Sequence, residues 1–83
     1  MPLYFFHVID GAFLVDDTGT HCATMEEVRR QAIRTAGEIL ADMGEKFTFG
    51  TEWQMHVTDH LKQTVFRLRF SADVPKPYLD PTK

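Results

Sequence analysis

Four histidines and one cysteine are the residues in this chain that are best suited to bind a metal ion. His21 and Cys22 are adjacent, and His56 and His60 are four residues apart around a predicted strand end. Four-residue spacing brings two histidines to one face of a helix, but it has no such effect on a strand that leads into a turn. No H-E-x-x-H or C-x-x-C motif is present. The sequence therefore predicts no metal site.

The other candidates for catalytic residues are Cys22 and two adjacent aspartates, Asp16 and Asp17. A cysteine just before a helix is open to two interpretations: a thiol whose pKa the helix dipole lowers, or an inert, partly buried side chain, which is the commoner case. The two aspartates are typical of a turn. No nucleophile stands next to a base, and a chain this short has little room for a deep pocket. We expect a protein without enzymatic activity and without a cofactor.

The chain has 83 residues and a formal net charge of -3, which suits a single small domain. Its only cysteine excludes an internal disulfide and is typical of a reducing compartment. The apolar run that opens the chain ends at Ile9, too early for a signal peptide or a membrane span. These features predict a cytoplasmic location without membrane attachment. The acidic balance disfavours nucleic acid as a partner, although it does not exclude a local basic patch.

The first 15 residues predict a β-hairpin. Asp10-Gly11 separates two apolar runs and is the strongest short signal for a two-residue type I′ turn. With that turn, Val8 lies opposite Phe13, and Leu14 shares a face with Ile9.

A helix is predicted to follow, because Thr24 and Glu27 form a capping box. Apolar residues recur at helical spacing along one side of it: Met25, Val28, Ala32, Ala36, Ile39, Leu40 and Met43. We expect Trp53, Phe66 and Phe70 to lie beneath this side.

Two later segments alternate in polarity and predict a second hairpin, with Val57 opposite Phe66 and Met55 opposite Leu68. The order of elements is ββαββ. The predicted fold class is α+β, with a four-stranded antiparallel sheet and one helix on one of its faces. This domain covers residues 1–72. Residues 73–83 contain three prolines and are expected to form a tail.

One helix covers only one face of a sheet, so the other face meets solvent, the tail or a partner. By the alternation above, the first hairpin gives that face an apolar half and the second hairpin gives it a basic, polar half. Gln54 and Val65 are expected on the second half. Exposed apolar surface usually marks an interaction site, and sheet faces with aromatic and basic residues also bind single-stranded RNA. The candidate partner-binding residues are Phe5, His7, Ile9, Leu14, His56, Arg67 and Arg69.

The opening motif MPxYFFHVxDG, over residues 1–11, resembles a family of alphaproteobacterial proteins of about 80 residues whose function is unknown. The likeness continues through the helix, through Val57-Thr58-Asp59 and through the Leu68-x-Phe70 ending. The family usually has a glycine in the final hairpin turn, where this chain has Lys62. The resemblance implies a cytoplasmic bacterial protein and supplies no activity.

A second, weaker likeness is to the HicB-type antitoxin fold, in which an Asp-Gly hairpin leads to a helix start like Thr24-Met25-Glu26-Glu27. The glycine-rich segment that precedes that helix in the antitoxins is missing here. Two functions therefore stand as predictions. One is a non-catalytic protein–protein interaction or regulatory module that binds a second copy of itself, as a homodimer, or another protein; the other is a nucleic-acid-associated module of the antitoxin type.

Overall fold

The computed structural model describes residues 2–43 and 52–73, which form one helix and five short or medium strands. The elements are β1 (Leu3–Ile9), β2 (Phe13–Leu14), β3 (Thr20–His21), α1 (Met25–Met43), β4 (Glu52–Thr58) and β5 (Thr64–Ser71). All strand pairs are antiparallel, and the helix packs against the sheet. This two-layer α+β architecture confirms the predicted fold class, with one strand more than expected.

The two hairpins join through their first strands, which gives the sheet order β2-β1-β4-β5. Phe6 lies opposite Val57 and Val8 opposite Met55 across the central pair. The strand β3 pairs with the beginning of β1, at the same edge as β2. The sheet therefore has a divided edge at β2 and β3 and a continuous edge at β5.

The first hairpin forms, but its predicted register is wrong by one residue. Phe13 lies opposite Ile9 and Leu14 opposite Val8, so the loop has three residues instead of two. Only Gly11 takes a positive φ in this loop, at 73°, whereas a type I′ turn needs positive φ at two positions. A shift of one residue exchanges the two faces of a strand. Phe13 therefore joins the face of Ile9, and Leu14 leaves it for the face of Val8.

The strand that returns along β1 is interrupted between β2 and β3. Tyr4 and Val8 are four residues apart on β1, but their partners on the returning strand, Thr20 and Leu14, are six residues apart. The two extra residues loop out of the sheet edge. At the gap the Asp16 carboxylate accepts a hydrogen bond from the Phe6 N–H at 3.0 Å, which replaces the missing backbone acceptor.

The second hairpin has the predicted pairs, Val57 with Phe66 and Met55 with Leu68. Thr58 lies opposite Thr64, so a bulge interrupts the register next to Val57. Because of this bulge Val65 packs against the core. The prediction that Val65 lies on the uncovered face is therefore wrong.

The helix begins at the predicted N-cap Thr24, but the return bond of the predicted capping box comes from the preceding residue, Ala23. The Thr24 hydroxyl accepts a hydrogen bond from the Glu27 N–H at 3.1 Å, and the Glu27 carboxylate accepts one from the N–H of Ala23. Its buried side meets the central strands in a core of eight residues: Val8, Cys22, Val28, Ala32, Ala36, Trp53, Met55 and Val57. Two expectations about this core are wrong, because Met25 and Phe70, near the ends of their elements, are 46% and 42% exposed and do not belong to it.

The predicted tail, residues 73–83, lies outside the described residues except for its first residue. Within the described part of the chain, no helix is both long enough and apolar enough to cross a membrane.

Candidate functional site

The candidate site is the sheet face that points away from α1, which we call the open face. Strand pairing sets its residues in rows that run from β1 to β5. One row is His7, His56 and Arg67, and the next is Ile9, Gln54 and Arg69, with Phe13 beyond Ile9. The open face is thus aromatic at the β2 edge and basic at the β5 edge.

Three rings lie nearly parallel along the aromatic half of the open face. The ring centres of Phe5 and His7 are 6.4 Å apart with planes at 12°, and those of His7 and Phe13 are 5.7 Å apart with planes at 27°. We call these three residues the aromatic ladder. Phe13 belongs to the ladder because the hairpin loop has three residues. The sequence analysis, which assumed two, placed it on the other face.

His7 is held in the ladder by a hydrogen bond at each ring nitrogen. Its Nδ1 accepts a bond from the Asp16 N–H at 3.1 Å, and its Nε2 lies 3.0 Å from the Thr58 hydroxyl oxygen. Since Nδ1 is an acceptor, the neutral ring carries its proton on Nε2 and donates it to Thr58. This tautomer links the loop after β2 to strand β4.

Asp16 organises the loop that borders the ladder. Its carboxylate accepts three backbone N–H bonds, from Phe6, Thr18 and Gly19, at 3.0 to 3.1 Å. Burial alone would raise the pKa of this carboxyl, but the three donors and the nearby His7 hold the pKa below its ordinary value. Asp16 is therefore an ionised structural anchor at neutral pH.

His56 occupies the middle of the open face, between His7 and Arg67. Its Nε2 lies 2.7 Å from the side-chain oxygen of Gln54. Burial lowers the pKa of His56, and the charge of Arg67 and the nearness of His7 lower it further. A neutral imidazole therefore separates the aromatic half from the arginines.

A pocket of about 520 Å³ lies over the aromatic ladder. Two segments border it, the loop that holds Asp16 and Asp17 and the β4–β5 turn that holds Asp59 and Lys62. The lining thus has three carboxylates and one ammonium group around an aromatic floor. Its chemistry favours an occupant with a flat, positively charged group, because such a group is attracted both to ring faces and to carboxylates.

Six of the seven predicted partner-binding residues lie on the open face: Phe5, His7, Ile9, His56, Arg67 and Arg69. The seventh, Leu14, is wrong as a member of this face, because the register pairs it with Val8. Sequence reasoning missed Phe13, Val15 and the anchoring role of Asp16. No sequence signal marks the first two, because the Asp10-Gly11 pair suits a two-residue and a three-residue loop alike.

The environment of Cys22 does not favour a reactive thiolate. The side chain is 3% exposed, and burial, followed by the negative charge of Glu27, raises its pKa. The interpretation of Cys22 as a buried side chain is therefore confirmed. Among residues 2–43 and 52–73, no three histidine, cysteine or acidic side chains come together in a way that would hold a metal ion.

Fold and site together define a small two-layer α+β domain with one covered and one open sheet face. The chain belongs to the family of proteins with the domain of unknown function DUF6894, whose model matches residues 3–71. No curated protein and no solved structure matches the chain. The family match therefore places the domain without assigning an activity to it.

Proposed function

We propose that this domain is a non-catalytic, cytoplasmic interaction module that self-associates through its open face. The observation that carries the proposal is the exposure of Phe13 and Val15, at 58% and 61%, beside the aromatic ladder. Large apolar side chains grouped on one surface of a small protein usually mark an interaction site.

The size of the core supports the same proposal. The described residues bury only eight side chains, all between α1 and one face of the sheet. A single core in a chain of this length contributes only about 3–5 kcal/mol of net stability. Covering the open face with a second copy adds apolar burial on a face where Phe5 and Ile9 are only half-buried.

Sedimentation velocity over a range of concentrations tests the proposal. We expect a monomer–dimer equilibrium with a Kd of roughly micromolar to tens of micromolar, because the face is small for a stable interface. The variant Phe13→Lys should weaken it at least tenfold, since it removes one ring of the aromatic ladder and places a flexible charge in the contact. The matched control is Ile33→Lys, which changes a side chain of similar exposure, 54%, on α1. A wild-type chain that stays monomeric up to about 1 mM would overturn the proposal.

A second candidate, binding of single-stranded nucleic acid, is favoured by one observation. The open face has three stacked rings beside two exposed arginines, the combination on which bases stack. Against it stand the carboxylates of the pocket and the net charge of -3. Titration with a single-stranded oligonucleotide decides between the two. Binding that falls steeply with salt and is lost in Arg67→Gln/Arg69→Gln would favour this candidate.

A further inference from the structure

The open face has opposite charges at its two edges. Arg67 and Arg69 project from β5, and both are exposed. At the other edge Asp16 and Asp17 lie in the loop after β2, next to the aromatic ladder. A surface with this asymmetry is complementary to itself in some orientations and repulsive in others.

Two ways of stacking two such faces preserve two-fold symmetry with aligned strands. If the axis runs across the strands, β5 lies over β5 and the arginines of both copies face each other. If the axis runs along the strands, β5 of one copy lies over β2 of the other. The charges therefore select the axis that runs along the strands. Rotation about this axis does not change a residue's position along the strand, so each row of one copy faces the same row of the other.

Distances in stacked sheets make the second arrangement feasible. Strands lie about 4.8 Å apart, so β5 is about 14 Å from β2 across one sheet, and stacked sheets lie about 10 Å apart. An extended arginine spans most of that gap. Since Arg67 is in the row of His7, its partner position lies over the pocket.

We infer that the pocket over the aromatic ladder receives the Arg67 side chain of a second copy of this chain, an inference that rests on the self-association proposed above. The planar guanidinium stacks on the rings of Phe13 and His7 and meets the carboxylate of Asp17. By symmetry the same contact forms twice. Arg69, one row along, lies over the outer side of Phe13.

A charge-exchange experiment tests the contact between Arg67 and Asp17. Arg67→Glu places a second carboxylate opposite Asp17, and Asp17→Arg places a second guanidinium opposite Arg67, so each variant alone should dimerise roughly tenfold more weakly than wild type. Mixed in equal amounts, the two variants form a heterodimer in which charge repulsion is relieved, because the new carboxylate of one copy meets the new guanidinium of the other. Native mass spectrometry of the mixture should show the heterodimer in large excess over either homodimer, with a Kd within about threefold of wild type.

Each other outcome has a definite meaning. If Arg67→Glu pairs with wild type more tightly than wild type pairs with itself, the arginines face each other and the inferred arrangement is wrong. If the wild type dimerises but the mixture shows no excess of heterodimer, the arginine contact is refuted while self-association stands. If Arg67→Glu and Asp17→Arg each dimerise as well as wild type, the arginine contact is likewise overturned. A wild type that does not dimerise refutes the proposed function itself.

Discussion

At the scale of single residues, Asp16 takes the place of a missing backbone carbonyl. Its carboxylate accepts the N–H bonds of Phe6, Thr18 and Gly19 where the strand returning along β1 loops out. A charged acceptor suits this position because it binds several donors at once. The same loop presents its own N–H to His7, so the anchor also fixes one ring of the aromatic ladder.

We expect Asp16→Asn to lower the free energy of unfolding by about 1.5–3 kcal/mol, because the amide group turns a donor toward a backbone N–H. The effect depends on pH. Since the folded pKa of Asp16 lies below the unfolded value of about 3.9, its ionised form stabilises the fold above that value. This contribution is lost as the pH falls through the folded pKa.

Urea titrations of Asp16→Asn and wild type at several pH values measure both effects. The free energy of unfolding of Asp16→Asn should fall less than that of wild type when the pH is lowered, because the variant lacks the contribution of the Asp16 carboxylate. Asp17→Asn is the control, since among the described residues the Asp17 carboxylate accepts one long hydrogen bond, from the Thr18 hydroxyl at 3.5 Å. Equal losses in the two variants would contradict the anchoring role of Asp16.

Lys62 has a left-handed backbone, with φ at 65°, in the turn between β4 and β5. Asp59 holds this turn through side-chain bonds from the N–H groups of Leu61 and Gln63. A residue other than glycine is strained at such a φ. Lys62→Gly should therefore raise the free energy of unfolding by up to about 1 kcal/mol, after the larger unfolded-state entropy of glycine is allowed for. Leu61→Gly, at a position without positive φ, should lower it, and thermal melts compare the two.

At the scale of elements, Gly19 lets the loop after β2 lie directly on β1. Its φ is 82°, and a Cβ there would come within 2.9 Å of the Leu3 side chain and 3.0 Å of the Phe5 ring. We expect Gly19→Ala to cost about 1–3 kcal/mol of unfolding free energy, from backbone strain and overpacking together.

Two other glycines separate these two causes. Gly11 also has a positive φ, 73°, but has open space around it, so Gly11→Ala measures strain alone. Gly37 is helical with open space, and Gly37→Ala should stabilise the domain by up to about 1 kcal/mol. Denaturant titration measures the free energy of unfolding of each variant. If Gly19→Ala loses no more than Gly11→Ala, the loop does not pack closely on Phe5.

The two hairpins show how far the sequence predicts these elements. The two apolar pairs of the second hairpin were predicted, because Met55, Val57, Phe66 and Leu68 alternate with polar residues and allow only one face to be buried. The bulge beside Val57, which turns Val65 to the core, was not predicted. The first hairpin is apolar on both faces, so its composition does not distinguish a two-residue loop from a three-residue loop. That single residue decides whether Phe13 or Leu14 joins the open face. The bridging role of Asp16 depends on a gap in the sheet that no local motif marks.

At the scale of the whole molecule, α1 covers one side of the sheet, and no other described element covers the open face. With the divided edge counted as one strand, four strands of about seven residues make a face of roughly 19 by 23 Å. A face of this size lies at the low end for specific interfaces, so the expected dimer is weak and depends on concentration.

The arginines on β5 have a second effect, on contact between sheet edges. If the β5 strands of two copies paired along their middle residues, the arginines of both copies would come together and repel each other. Face-to-face contact is thereby favoured over edge-to-edge contact.

The central claim is that the open face is the surface through which copies of this chain meet. The most direct measurement is a dilution series of amide NMR spectra from about 1 mM to about 10 µM. Concentration-dependent shifts are expected at the amides of Phe5, His7, Phe13, Asp17 and Arg67, and Ile33 and Glu38 on the outer side of α1 should not shift. Shifts confined to α1, or spectra that do not change with concentration, would contradict the claim.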